Sequence, residues 1–111
     1  MKEWAAGRWA AELAAREGPL ALFVHTPLCG TCAVARRMLE VAEASSDGVE
    51  VQAANLNLMP GLAEQFRIES VPCLLTRLPD GTWRKRYRFG TVMEVAASLD
   101  ALLAPDDAQG R

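Results

Sequence analysis

Hydrophobic and polar positions along the chain follow two rhythms, one helical and one suited to strands. From about Arg8 to Glu17, Trp9, Leu13 and several alanines recur at helical spacing, and Gly18-Pro19 ends the run. Leu20 to His25 is a nearly continuous apolar stretch directly after that breaker, the pattern of a strand buried on both faces. From about Cys32 to Ala44 the helical period returns. Ala35, Met38, Leu39 and Ala42 mark one face, while Arg36, Arg37, Glu40 and Glu43 lie elsewhere. Ser45 to Gly48 reads as a loop. Val49 to Leu56 reads as a strand, because Val49, Val51 and Ala53 alternate with Glu50 and Gln52. Pro60 then opens a short helix at a first-turn position, with Leu62 and Phe66 as its inward pair.

Cys73 to Leu78 is the next strand. Leu78-Pro79-Asp80-Gly81-Thr82 is a turn in which Pro sets φ and Asp and Gly accept the later positions, so Trp83 to Phe89 returns as the second arm of a hairpin. Thr91 and Glu94 form a capping box for a last helix with Val92, Val95, Ala96, Leu99 and Leu102 on its core stripe. Pro105 stops that helix, which leaves one domain over 1–104 and a flexible tail over 105–111. Strands separated by helices predict parallel neighbours and right-handed crossovers, and the tight final turn predicts an antiparallel pair. The fold class is therefore α/β: a mixed four-stranded sheet with helices on both faces, and room for a short fifth strand at Lys2 to Trp4.

Composition narrows the class. A chain of 111 residues suits one domain with one self-sufficient core. Hydrophobic residues make up 50% of it, but nineteen are alanine, so helix is favoured and large core side chains are fewer. Twelve basic against fourteen acidic residues leave a net charge of −2, which removes the electrostatic motive for binding nucleic acid or an anionic membrane. The longest apolar run, Leu20 to Val24, is far short of the roughly twenty residues of a membrane span. Nothing near Met1 has the shape of a signal peptide, and a cytoplasmic location is expected.

The chemistry lies in three cysteines, an odd count that does not make a disulfide framework. Cys29 and Cys32 form a C-x-x-C between a buried strand and a helix. A thiol at Cys29 meets the positive end of the helix dipole and unpaired backbone N–H groups, both of which favour its thiolate. Cys32 sits one turn in, placed to attack a mixed disulfide formed at Cys29.

With these surroundings the sequence resembles the thioredoxin family over roughly residues 2–103. The resemblance rests on Thr26-Pro27-Leu28-Cys29-Gly30-Thr31-Cys32 after one strand and Ile68-Glu69-Ser70-Val71-Pro72 before another, with Asn55 through Phe66 as the connection between them. It implies a thioredoxin-like fold and a thiol–disulfide oxidoreductase that supports cell redox homeostasis. Cys29 would be the nucleophile and Cys32 the resolving cysteine. The Val71–Pro72 bond would be cis, Val71 and Pro72 would form the edge that docks an extended substrate, and Gly30 and Thr31 would shape the turn. No cofactor is implied. Partners would be disulfide-containing proteins as substrates and a separate reductase or low-molecular-weight thiol as electron donor. The chain departs from the family pattern in several places: Leu28 replaces the usual Trp, and Gly30-Thr31 replaces Gly-Pro. Phe23 stands where the family has a buried carboxylate, and Ala53 stands at the accompanying basic position.

Two residues keep more than one reading. Cys73, where the family usually has Thr, is either a small apolar filler of its strand or a third thiol close to the redox pair. His25, the only histidine, is either a half-exposed strand-end side chain or a group that stabilises the thiolate or relays a proton. Cys29, Cys32, Cys73 and His25 together make a Cys₃His set of the kind that holds zinc or an iron–sulfur cluster, but no second paired motif accompanies it. A thioredoxin-like binding module or redox sensor that uses the three thiols without turnover is the competing class. Arg84-Lys85-Arg86-Tyr87-Arg88 reads as charge protecting an edge strand rather than as a nucleic-acid surface.

Overall fold

A computed structural model describes residues 1–46 and 48–103. Its elements are β1 (Lys2–Glu3), α1 (Trp9–Ala14), β2 (Leu20–His25), α2 (Gly30–Ser45), β3 (Gln52–Asn55), a 3₁₀ turn (Leu56–Leu58), α3 (Pro60–Phe66), β4 (Cys73–Arg77), β5 (Trp83–Arg86) and α4 (Val92–Asp100). The expected tail over 105–111 and Asp47 of the expected loop lie outside the described residues.

The five strands form one mixed sheet in the order β1-β3-β2-β4-β5. The short strand at Lys2–Glu3 is present and runs parallel to β3, with Lys2 N donating to Val51 O at 2.9 Å and Trp4 N to Ala53 O at 2.8 Å. β2 and β3 are parallel neighbours, as strands joined through a helix should be. The same rule does not hold for β3 and β4. β4 lies on the other edge of β2 and runs antiparallel to it, with Val24 opposite Cys73. Both edges of β3 are already occupied by β1 and β2, and the seven-residue α3 is only about 10 Å long. The connection therefore returns to the sheet at the end it left, and the next strand must point the other way.

Several element ends differ from the sequence expectation. The first helix spans only Trp9–Ala14, and β5 stops at Arg86 rather than continuing to Phe89. As a result Phe89 does not share a face with Trp83 and Tyr87: it packs in the core beneath α2 and α4, whereas they pack on the opposite one. α2 begins at Gly30, two residues earlier than the apolar period indicates, so Gly30 and Thr31 are its first two residues. The capping box at α4 forms on both sides: Thr91 Oγ1 accepts from Glu94 N at 3.1 Å, and Glu94 Oε2 accepts from Thr91 N at 3.0 Å.

Strand residues alternate between two cores because successive side chains point to opposite faces. One core gathers Phe23, Ala53 and Leu74 with Cys32, Ala35 and Leu39 of α2 and Val95 and Leu99 of α4. The other gathers Leu22, Val24, Cys73 and Leu75 with Trp4, Met59 and Leu62. No described helix is long and apolar enough to cross a membrane.

Candidate active site

The strand-to-helix connection at the end of β2 carries the C-x-x-C. Leu28 is fully exposed and sits at φ 61°, in the left-handed region that a leucine rarely occupies. The bend there delivers Cys29 into the N-cap position of α2, with φ −104° and ψ 107°. Its sulfur accepts from Cys32 N at 3.1 Å and lies 3.4 Å from Thr31 Oγ1. An N-cap side chain that accepts from a first-turn N–H satisfies one of the helix's free donors, and here that side chain is a cysteine. When the sulfur is reduced, the same N–H and the dipole of the sixteen-residue helix favour negative charge on it.

Cys29 and Cys32 are joined as a disulfide with Cα atoms 5.1 Å apart. The two sulfurs differ in access: Cys29 is half-buried, whereas Cys32 is 4% exposed and belongs to the core under α2. The Val71–Pro72 peptide bond is cis. Its loop is held by Tyr87, whose hydroxyl accepts from Glu69 N at 3.2 Å, and by Lys85, whose Nζ donates to Arg67 O at 3.0 Å. Part of the basic run therefore anchors the loop before β4, while Arg84 stays exposed on the edge strand. Thr31 and Pro72 line one shallow groove with Val34, Met38, Tyr87 and Phe89, so the two distant sequence motifs meet.

Phe23, at the family's carboxylate position, is completely buried. Its ring meets Phe89 edge-on at 6.2 Å, stacks with His25 at 5.3 Å, and carries the Arg36 guanidinium 5.4 Å above its centroid. His25 is the next residue on the same strand face, nearer the C-x-x-C. Its Nε2 lies 2.8 Å from Glu3 Oε2 and 3.2 Å from Arg36 Nη2, and Arg36 Nη2 donates to Glu3 Oε1 at 3.2 Å. Glu3 and Arg36 carry no signal in the sequence, where each is one charged residue among many. Sheet pairing of β1 and the turn of α2 bring them to the histidine.

Cys73 is separated from the pair. It is the first residue of β4 and points into the core of α1 and α3, on the face of the sheet opposite Cys32. Of its two readings, the geometry takes the apolar one. Burial pushes its thiol up from the ordinary 9.0 to about 11, partly offset by Lys85. A neutral thiol contributes stability that is fully present below its unfolded pKa and is lost as pH rises toward the folded value. Unfolding free energy should therefore fall between pH 9 and 11, and Cys73→Val should flatten that fall. At pH 8 the native thiol should resist iodoacetamide until denaturant is added. Labelling of the folded protein at the rate of a free thiol would contradict this placement. Among the described residues no group of three or more His, Cys, Asp or Glu is arranged to hold a metal ion.

This arrangement, a mixed sheet with a capped C-x-x-C entering the first long helix, defines a thioredoxin-fold protein. The solved structures agree. Chloroplastic thioredoxin z superposes with a TM-score of 0.77 at 19% identity, covering 93% of this chain and 94% of that one. The first thioredoxin domain of mouse protein disulfide-isomerase A4 does so with a TM-score of 0.73 at 19% identity, covering 94% and 76%. No family model matches the sequence. A thioredoxin-like protein of Bacillus subtilis, YusE, is 43% identical over 71 residues, which are 64% of this chain and 67% of that protein. The chain belongs to the thioredoxin-like family.

Proposed function

We propose that this protein is a thiol–disulfide oxidoreductase that reduces protein disulfides. The observation that carries the reading is the unequal access of two joined sulfurs at the start of α2, with Cys29 facing outward on the N-cap and Cys32 shielded in the core. In the reduced protein the Cys29 thiolate attacks a substrate disulfide, forming a mixed disulfide and releasing one substrate thiolate. Cys32, deprotonated, attacks Cys29 Sγ. The Cys29–Cys32 bond forms, the Cys29–substrate bond breaks, and the second substrate sulfur leaves and takes a proton. Two electrons have moved from the cysteine pair to the substrate. A dithiol or reductase partner returns them, in support of redox homeostasis in the cytoplasm.

Val71 and Pro72 serve as the docking edge, and the groove that Pro72 shares with Thr31 takes the side chains of an extended substrate. Gly30, exposed in the first turn of α2, leaves the approach to Cys29 open. No cofactor enters this sequence of steps.

The test is a redox titration in thiol–disulfide buffers, with free thiols counted by mass-tagging at each poise. The expected result is one reversible two-electron step confined to Cys29 and Cys32, near the roughly −270 mV of thioredoxin. A step at a much higher potential would make the protein an oxidant or a sensor rather than a reductase. Absence of any reversible step would remove the oxidoreductase reading in favour of a module that holds a partner without turnover.

A further inference from the structure

The resolving step needs a base, because a thiol must lose its proton before it can attack. Cys32, though 4% exposed, lines an open surface pocket together with Cys29. The remaining ionisable side chains on that pocket's wall are His25, Arg36 and Arg37. Guanidinium groups have no acceptor and do not deprotonate in proteins, so among the described residues on that wall His25 alone can receive a proton. Phe23, the residue beneath, is buried and apolar.

The surroundings of His25 are those of a positioned base. Phe23 stacks under its ring, and Glu3 reaches it from β1, two strands away. Glu3, Ala53 and Phe23 lie in one row across the sheet, with the small alanine between the carboxylate's strand and the histidine's. With its proton on Nε2 the ring donates to the Glu3 carboxylate 2.8 Å away and keeps Nδ1 as its acceptor, and Arg36 Nη2, 3.2 Å from the same Nε2, is then a neighbouring charge and not a donor to it. The second Glu3 oxygen is held by Arg36, which keeps the carboxylate on station. The charged groups facing the ring are thus Glu3 from β1 and Arg36 from α2, with Arg37 and the two cysteines on the same pocket.

We propose that His25 is the proton acceptor for Cys32 in the resolving step, with Glu3 and Arg36 as positioning residues. The proposal rests on the oxidoreductase reading above. The Cys32 Sγ proton passes through solvent in the pocket to His25 Nδ1. The thiolate attacks Cys29 Sγ, the mixed disulfide breaks, and the departing substrate thiolate takes the proton back from the imidazolium. No further oxidant or reductant is involved.

The two thiols can be read separately with 5,5′-dithiobis(2-nitrobenzoate) under rapid mixing. Attack by Cys29 releases one coloured thiolate, and attack by Cys32 on the resulting adduct releases the second. For His25→Ala the first phase should match wild type and the second should slow about 100-fold at pH 7, the lower end of what a general base supplies. Added imidazole should restore much of the second phase. Glu3→Gln, at an exposed position that leaves the fold intact, should slow the second phase several-fold without affecting the first. An unchanged second phase in either variant would overturn the proposal. So would a slowed phase in His25→Ala that imidazole does not restore, because it would signal a structural effect. A wild-type protein that shows the first phase and no second would instead overturn the oxidoreductase reading itself.

Discussion

Cys29→Ser is expected to lower turnover of a model protein disulfide by at least about 10³-fold, with dithiothreitol as donor. A serine hydroxyl at the N-cap accepts the same N–H from Cys32 as the sulfur does, so the helix start is preserved. The hydroxyl remains protonated near neutral pH, however, and an alkoxide is a poor attacker of disulfides, so the chemistry is lost while the fold is not. Cys32→Ser should behave differently. Its Cys29 still attacks, but no resolving thiol follows, and the mixed disulfide should accumulate as a covalent adduct visible by intact mass. The contrast follows from burial, since Cys29 is half-exposed and Cys32 is 4% exposed. If Cys29→Ser turned over at the wild-type rate, or if the adduct formed on Cys32 instead, the assignment of roles would be wrong.

The second large effect concerns the residue that replaces a carboxylate. Phe23→Ala should reduce the unfolding free energy by about 3–5 kcal/mol, the usual cost of truncating a buried phenylalanine. At about 4 °C per kcal/mol for a chain of this size, the melting temperature should drop by roughly 12–20 °C. The ring is fully buried, with Phe89 at its edge, His25 on its face and the Arg36 guanidinium above it. Its loss leaves a cavity between the sheet and α2 and removes the support of the His25 ring. Thermal unfolding of the oxidised protein measures the effect, and a loss below about 1 kcal/mol would mean that the ring does not hold this core together. Where the family pattern has a charge at this depth, this chain has a packed aromatic cluster. The polar groups stand two residues further along the strand, at His25 on the pocket's rim.

Much of the site could be read locally. The C-x-x-C between an apolar strand and a helical period placed Cys29 at a helix start, and Thr91 with Glu94 marked the last helix by the spacing of their hydrogen bonds. Helix caps and breakers act over three or four residues, so their signals survive in one dimension. The pairing of strands does not have that property. Parallel order for β2 and β3 followed from the helix between them, but β4 turned out antiparallel on the far edge of β2, because that depends on which edges remain free.

The two unsettled residues show the same division. Cys73-Leu74-Leu75-Thr76 is buried at every position, since both faces of the sheet are covered. With no alternation to read, the sequence does not say which parity faces α2, and a shift of one residue would turn Cys73 toward Cys32. Register against β2 decides it, placing Leu74 on that face and Cys73 on the other. His25 likewise gains its surroundings from Glu3, twenty-two residues away, and Arg36, eleven away. The sequence by itself determined the cysteine pair, the helix that receives it and the family pattern around it, because those are set by neighbours along the chain. Which side chains share a pocket with that pair was decided only by the tertiary structure, because strand order and register are settled by contacts between distant segments.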